Sequence, residues 1–212
     1  MTDFKTIQKD YLNIEPLDKD KIFSFYKSHR NIFENDPPTD DDELRIHLWM
    51  LAEIGATYSY AEEHSTAIPI LNMALHLYEK NVERLAIRLK EEKLYATAIW
   101  SQGYSLLGLK RYWKARRYFK RIEDLNTQNH TYNDTALLQI CEWKIKNRIA
   151  IILGVVGLII LITKYSVEWF SPDNYVGILV YSGFIGGPLL ITASLIYKTK
   201  TQASTTYYLH SK

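Results

Sequence analysis

From residue 18 to residue 145 of this 212-residue chain, apolar side chains recur every three to four positions, and beyond that the alternation gives way to two long apolar runs. The first spacing is that of helices with one buried face. Scattered Phe4, Ile7, Tyr11, Leu12 and Ile14 predict a short helix or docking arm. Asp18 or Asp20 is placed to cap a helix through Ile22, Phe23, Phe25, Tyr26, Ile32 and Phe33, which must end before Pro37-Pro38, because a residue preceding proline is pushed out of the helical region. The TDDDE run at 39–43 is a helix start. Thr39 or Asp40 can accept from free backbone amides, and the following carboxylates suit the positive helix end. Leu44, Leu48, Leu51, Ile54, Gly55 and Tyr58 then form one stripe.

After a break at 61–65, Ala67, Ile68, Ile70, Leu71, Ala74, Leu75 and Tyr78 mark another helix, with Pro69 expected in its first turn. Its stripe is expected to continue through Val82, Leu85, Ala86 and Leu89. Leu94, Ala98, Ile99, Leu106 and Leu107 predict a third long helix, 108–111 a turn, and Tyr112, Ala115, Phe119 and Ile122 a fourth. A polar stretch at 126–130 precedes a fifth helix, capped by Asn133 or Asp134, through Ala136, Leu137, Ile140 and Cys141. No breaker separates it from the first apolar run. The fold class is all-α.

The two runs read as a membrane hairpin. Residues 175–197 are 23 residues without formal charge, about 34 Å of helix against a hydrocarbon core of roughly 30 Å. The first run is charge-free only over 149–163 and must continue through Lys164 to Phe170 to cross. Lys164 would snorkel, with Trp169, Phe170 and Tyr175 forming an aromatic belt on that side and Trp143 and Tyr197 marking the other interface. Lys144, Lys146 and Arg148 before the hairpin and Lys198 and Lys200 after it place both flanks in the cytoplasm. No signal peptide is visible at the N-terminus. These features suit a bacterial inner membrane. Gly183 and Gly187, with Ser182 and Gly186 one step round, have the small-xxx-small spacing that lets helix backbones approach. They serve either packing within one hairpin or homo-oligomerisation.

The expected organisation is an N-terminal arm and capping helix (1–38), a helical domain (39–130), a helix leading to the membrane (131–148), span one (149–170), an extracytoplasmic turn (171–174), span two (175–197) and a cytoplasmic tail (198–212).

Composition adds mainly exclusions. A formal net charge of +2 argues against a dedicated nucleic-acid binder. One cysteine, Cys141, allows no intrachain disulfide and no cysteine-rich metal site. No HExxH, Gly-rich phosphate loop or Gly-x-Ser-x-Gly elbow occurs, so no catalytic, metal or cofactor residues are assigned and an enzyme is not expected. One local cluster stands out. Lys110, Arg111, Lys114, Arg116, Arg117, Lys120 and Arg121 are interleaved with Tyr112, Trp113, Tyr118 and Phe119. Basic residues among aromatics suit anionic lipid headgroups or an acidic partner, or form a solvated face.

A repeat underlies the helical domain. Gly55 precedes Ala67 by twelve, as Gly103 precedes Ala115; Leu71 and Phe119 follow four later, Ala74 and Ile122 seven later. This resembles the tetratricopeptide repeat, and AIPILNMALHLYEKN is similar to that family's second helix. The resemblance implies elongated antiparallel helix hairpins, because the two units lie 48 residues apart where the family's lie about 34 apart. The excess is close to two extra turns per helix. It also implies a concave groove lined by Trp49, Ala52, Ala56, Ser59 and Tyr60 in the first unit and Thr97, Trp100, Tyr104 and Leu107 in the second. The lining is aromatic and uncharged, which suits an apolar peptide, a partner helix or the chain's own N-terminal arm; alternatively Trp49 and Trp100 are core. The function expected is a membrane-anchored interaction module, scaffold or adaptor with a protein partner. The other reading is an oligomeric membrane effector or pore gated by its helical domain.

Overall fold

The computed structural model describes residues 4–15, 18–35, 38–125 and 134–170, and places seven α-helices and no strand among them. They are α1 (Phe4–Leu12), α2 (Lys19–Asn35), α3 (Asp41–Tyr60), α4 (His64–Lys80), α5 (Lys93–Gly108), α6 (Tyr112–Leu125) and α7 (Asp134–Phe170). The chain forms two compact units, Met1–Leu138 and Gln139–Lys212.

In the first unit α3 pairs with α4 and α5 with α6 as antiparallel neighbours. The second pair stacks on the first through α3–α5 and α4–α5, and α1 and α2 cover the free side of α3. The helix starts obey the polar signals. Asp40 accepts from the amides of Asp42 and Glu43, each at 3.0 Å, and Asp18 accepts from that of Lys21 at 3.1 Å. The expected α3 stripe is buried throughout: Leu44, Leu48, Leu51, Ile54, Gly55 and Tyr58.

The two hairpins are built alike, register by register, 48 residues apart. Glu63 N–H donates to Tyr58 C=O and Glu62 N–H to Ser59 C=O; in the second hairpin Arg111 donates to Leu106 and Lys110 to Leu107. Each is a Schellman ending, which returns the chain by placing one residue in the left-handed region. That residue is Glu62 (φ 64°) in one hairpin and Lys110 (φ 58°) in the other. The seams match as well. A Cβ on Gly55 would lie 2.7 Å from Leu71 Cδ2, and one on Gly103 would lie 2.8 Å from Phe119 Cε1. Only a glycine lets the helices approach so closely. Ala67 and Ala115, like Ala74 and Ile122, are fully buried.

Three expectations are corrected. The apolar stripe of α4 does not continue as helix through Val82, Leu85, Ala86 and Leu89. The helix stops at Lys80, where the Asn81 side chain donates to Leu77 C=O at 2.8 Å, and the chain turns with Ala86 at φ 49°. Arg45 donates to Leu85 C=O, and Arg84 binds Asp41 and the Thr39 carbonyl, tying this segment to the start of α3. Leu85 and Ile87 are buried there, which is why the apolar spacing persisted. The extra repeat length therefore lies largely in segment 81–92 and in the 20-residue α3, not in two added turns per helix. Finally, Pro69 sits one turn deeper than the first turn of α4, since that helix begins at His64.

Helix α7 is one continuous helix of 37 residues, about 55 Å long, as the absence of a breaker foretold, and most of it belongs to the second unit. Its stretch Thr135–Thr163 is long and apolar enough to cross a membrane, and 17 % of its most apolar window is buried. Ile149, Ile151, Ile152, Val155, Val156, Leu158, Ile159 and Ile162 are all exposed, so the helix is apolar on every side rather than along one stripe. The expected polar break at 126–130, turn at 171–174, span 175–197 and tail 198–212, with Ser182, Gly183, Gly186 and Gly187, lie outside the described residues. So do the side chains of Lys164, Trp169 and Phe170.

Candidate functional site

The residues expected to line one groove are divided by the fold. Ala52 and Ala56 are buried, and so is Ser59, whose hydroxyl donates to Ser101 C=O at 2.9 Å and accepts from Ser105 at 2.8 Å. These small residues are the seam between α3 and α5. Trp49 is half-buried against α1, with the Tyr11 ring edge-on at 5.4 Å. The N-terminal arm therefore covers the first-unit end of the expected lining.

The other end remains accessible. Tyr60, at the last residue of α3, is 53 % exposed, and its ring lies 5.7 Å from Trp100 on α5. Trp100 stacks on Tyr104 at 5.2 Å with an interplanar angle of 7°, as residues one turn apart on a helix can. His64, at the first residue of α4, stands edge-on to Tyr104 at 5.7 Å. Three helices thus bring four rings together. His64 falls in the break expected at 61–65 and is not among the expected lining residues. The signal for it was Gly108, the register partner of Tyr60. A Cβ at that glycine would overlap the His64 ring, so the small residue makes room for the imidazole. Thr97 and Leu107 are half-buried on the same helix.

The basic cluster is also sorted by the fold. Tyr112, Ala115, Phe119 and Ile122 turn inward. Arg121 turns toward α4 and α5, pairing with Glu79 at 2.7 Å and donating to the Tyr95 hydroxyl. Its guanidinium lies 5.3 Å from the centroid of the Tyr95 ring. Burial pushes the Tyr95 phenol up to about 12, with Arg121 opposing and Glu79 adding to the rise. Arg121 thus clamps three helices and leaves the surface cluster. Lys110, Arg111, Lys114, Arg117 and Lys120 are exposed, Arg116 is half-buried, and Trp113 is 59 % exposed.

Sequence reading also passed over His47. It is fully buried in α3, stacked on Phe4 at 5.1 Å with Phe33 edge-on at 5.5 Å. Neither ring nitrogen has a hydrogen-bond partner. Burial lowers its pKa to about 4, only partly opposed by the Phe33 backbone. No group of three or more metal-ligating side chains occurs among the described residues.

No family model matches the chain, and none of the curated proteins or solved structures matches it either.

Proposed function

We propose that this chain is a membrane-anchored protein-interaction module, presenting a tetratricopeptide-like helical surface in the cytoplasm. The observation that carries the reading is the ring cluster of exposed Tyr60 and half-buried His64, Trp100 and Tyr104, held on a doubly repeated hairpin frame in the same chain as an exposed apolar helix of membrane-crossing length. The repeated Gly–Ala spacing supports the family likeness. Clustered aromatic side chains supply contact area at low entropic cost and are favoured at interfaces. The ligand class they fit is an apolar peptide or helix, which would extend the path that α1 occupies over Trp49.

The test is the mass and composition of tagged full-length protein, extracted from its native membrane in mild detergent, alongside the Trp100→Ala/Tyr104→Ala double variant. A foreign chain in stoichiometric amount, lost in the variant while membrane extraction is unchanged, is the expected result. A discrete homo-oligomer with nothing else bound, unaffected by the variant, would sink the adaptor reading and favour the assembling effector.

A further inference from the structure

The repeat supplies an internal control for the basic helix. α4 and α6 occupy the same register on the same frame, with Ala67/Ala115, Leu71/Phe119 and Ala74/Ile122 in the same buried roles. Their outward residues differ throughout. Where α6 and its preceding turn carry Lys110, Arg111, Lys114, Arg117 and Lys120, the first hairpin carries Glu62, Glu63, Thr66, Pro69 and Asn72. Trp113 stands where Ser65 stands. The hairpin folds the same way with either set, so the fold requires neither the cations nor the exposed indole.

The two sets also differ in satisfaction. The cation that contributes to packing, Arg121, is paired. Lys110, Arg111, Lys114, Arg117 and Lys120 are exposed and join no ion pair among the described residues. No acidic residue interrupts 110–122, and only Glu123 and Asp124 at the end of α6 offset the charge. Such a face repels itself, and an anionic surface relieves that repulsion. Exposed Trp113 within it adds a preference for the headgroup level of a bilayer, where an indole buries its ring and keeps its N–H wet. The chain carries its own candidate span only a short way downstream. From Leu125 to the start of α7 the chain spans at most about 32 Å, and α7 then runs about 22 Å to Ile149, which keeps the face at high effective concentration near any bilayer that α7 crosses.

We infer that the outward face of α6 (Lys110, Arg111, Trp113, Lys114, Arg117 and Lys120) docks on anionic phospholipid headgroups. The inference deepens the membrane-anchored reading. The Tyr60–His64–Trp100–Tyr104 cluster, built from α3, α4 and α5, shares no residue with this face.

The test uses the full chain and the variant Lys110→Glu/Arg111→Glu/Lys114→Thr/Lys120→Asn, every substitution being one that the first hairpin already accommodates at the same register. Trp113→Phe isolates the Trp113 fluorescence by difference. The proteins are reconstituted in nanodiscs of bromine-labelled phosphatidylcholine, with or without bromine-labelled phosphatidylglycerol. Quenching of the Trp113 component with phosphatidylglycerol only, reversed by about 0.5 M salt, is expected. At about fivefold per cation, the variant should lower the docked-to-free ratio at least about 100-fold. Equal Trp113 fluorescence in both lipids, or unchanged quenching in the variant, would overturn the inference. So would a native acidic protein that binds the wild type, is lost in the variant, and leaves Trp113 unquenched by lipid. Flotation in alkaline carbonate tests anchoring separately. If the chain is stripped from vesicles there, anchoring fails, and salt-reversible flotation at neutral pH with phosphatidylglycerol vesicles alone still supports the α6 face, while its absence overturns it.

Discussion

The α3–α4 and α5–α6 hairpins share a frame and almost nothing else. Both close on a glycine opposite a large apolar side chain, both bury an alanine twelve residues later, and both end the first helix with a left-handed acidic or basic residue. Beyond that they diverge. In the first, α1 and α2 cover the free side of α3 while the outward face of α4 stays exposed; in the second, the exposed outward face of α6 is cationic. Even shared register positions are used differently. His47 and Tyr95 correspond, yet His47 has no hydrogen-bond partner while Tyr95 is held by Glu79 and Arg121. A few contacts at fixed spacing suffice for the hairpin, and the remaining positions are released to respond to what lies against them.

The comparison can be broken or sharpened experimentally, and the largest effects are expected at the seams. Phe119→Ala and Leu71→Ala each empty a fully buried site, and each should cost about 3–5 kcal/mol in urea titrations of the full chain followed by circular dichroism. If one hairpin loses far more than the other, the frames are not energetic equivalents. Gly55→Val and Gly103→Val force atoms into space already held by Leu71 and Phe119, and a loss of roughly 3 kcal/mol each is expected by the same titration.

His47 comes next, and its sign is definite. Its folded pKa of about 4 lies below the ordinary 6.5, so between these values the unfolded chain binds more protons. Its contribution to stability is full above pH 6.5, is lost as pH falls toward 4, and amounts to about 3 kcal/mol. His47→Phe, whose ring suits Phe4 and Phe33, should flatten the stability–pH profile over that window without weakening the protein at pH 7. An unchanged slope would place the acid sensitivity elsewhere.

The smallest effect tests the likeness of the turns. Glu62→Gly and Lys110→Gly each relieve a left-handed residue of its Cβ and should each stabilise by about 1 kcal/mol. The two melting-temperature shifts should agree; a shift in one alone would mean that the other turn is held by contacts beyond its backbone.

Much of this architecture was legible before folding. Asp40 capped the helix that TDDDE announced, the Gly108–Arg111 turn fell in place, and the 48-residue register of Gly55 and Gly103 marked both seams. The misreadings have a common cause. Leu85 and Leu89 continue a helical spacing because they face the core, and periodicity reports burial, not the backbone path that achieves it. What covers the expected lining was not legible either: Trp49 and Trp100 look alike in one dimension, and Tyr11 packs against the first.

By itself the sequence determined the local decisions: where helices start, which face of each is apolar, where glycine permits close approach, and that an apolar run follows the polar domain. These depend on neighbours within a turn or two and on transfer free energies that each residue carries with it. Tertiary structure alone decided that α1 covers Trp49, that Arg121 leaves the cationic cluster for Glu79 and Tyr95, and that His64 meets Tyr104 across the space Gly108 leaves open. Those are contacts between residues far apart in the chain. They exist only once packing has fixed which helix faces which, and that is where the exposed surfaces, and with them the proposed function, are set.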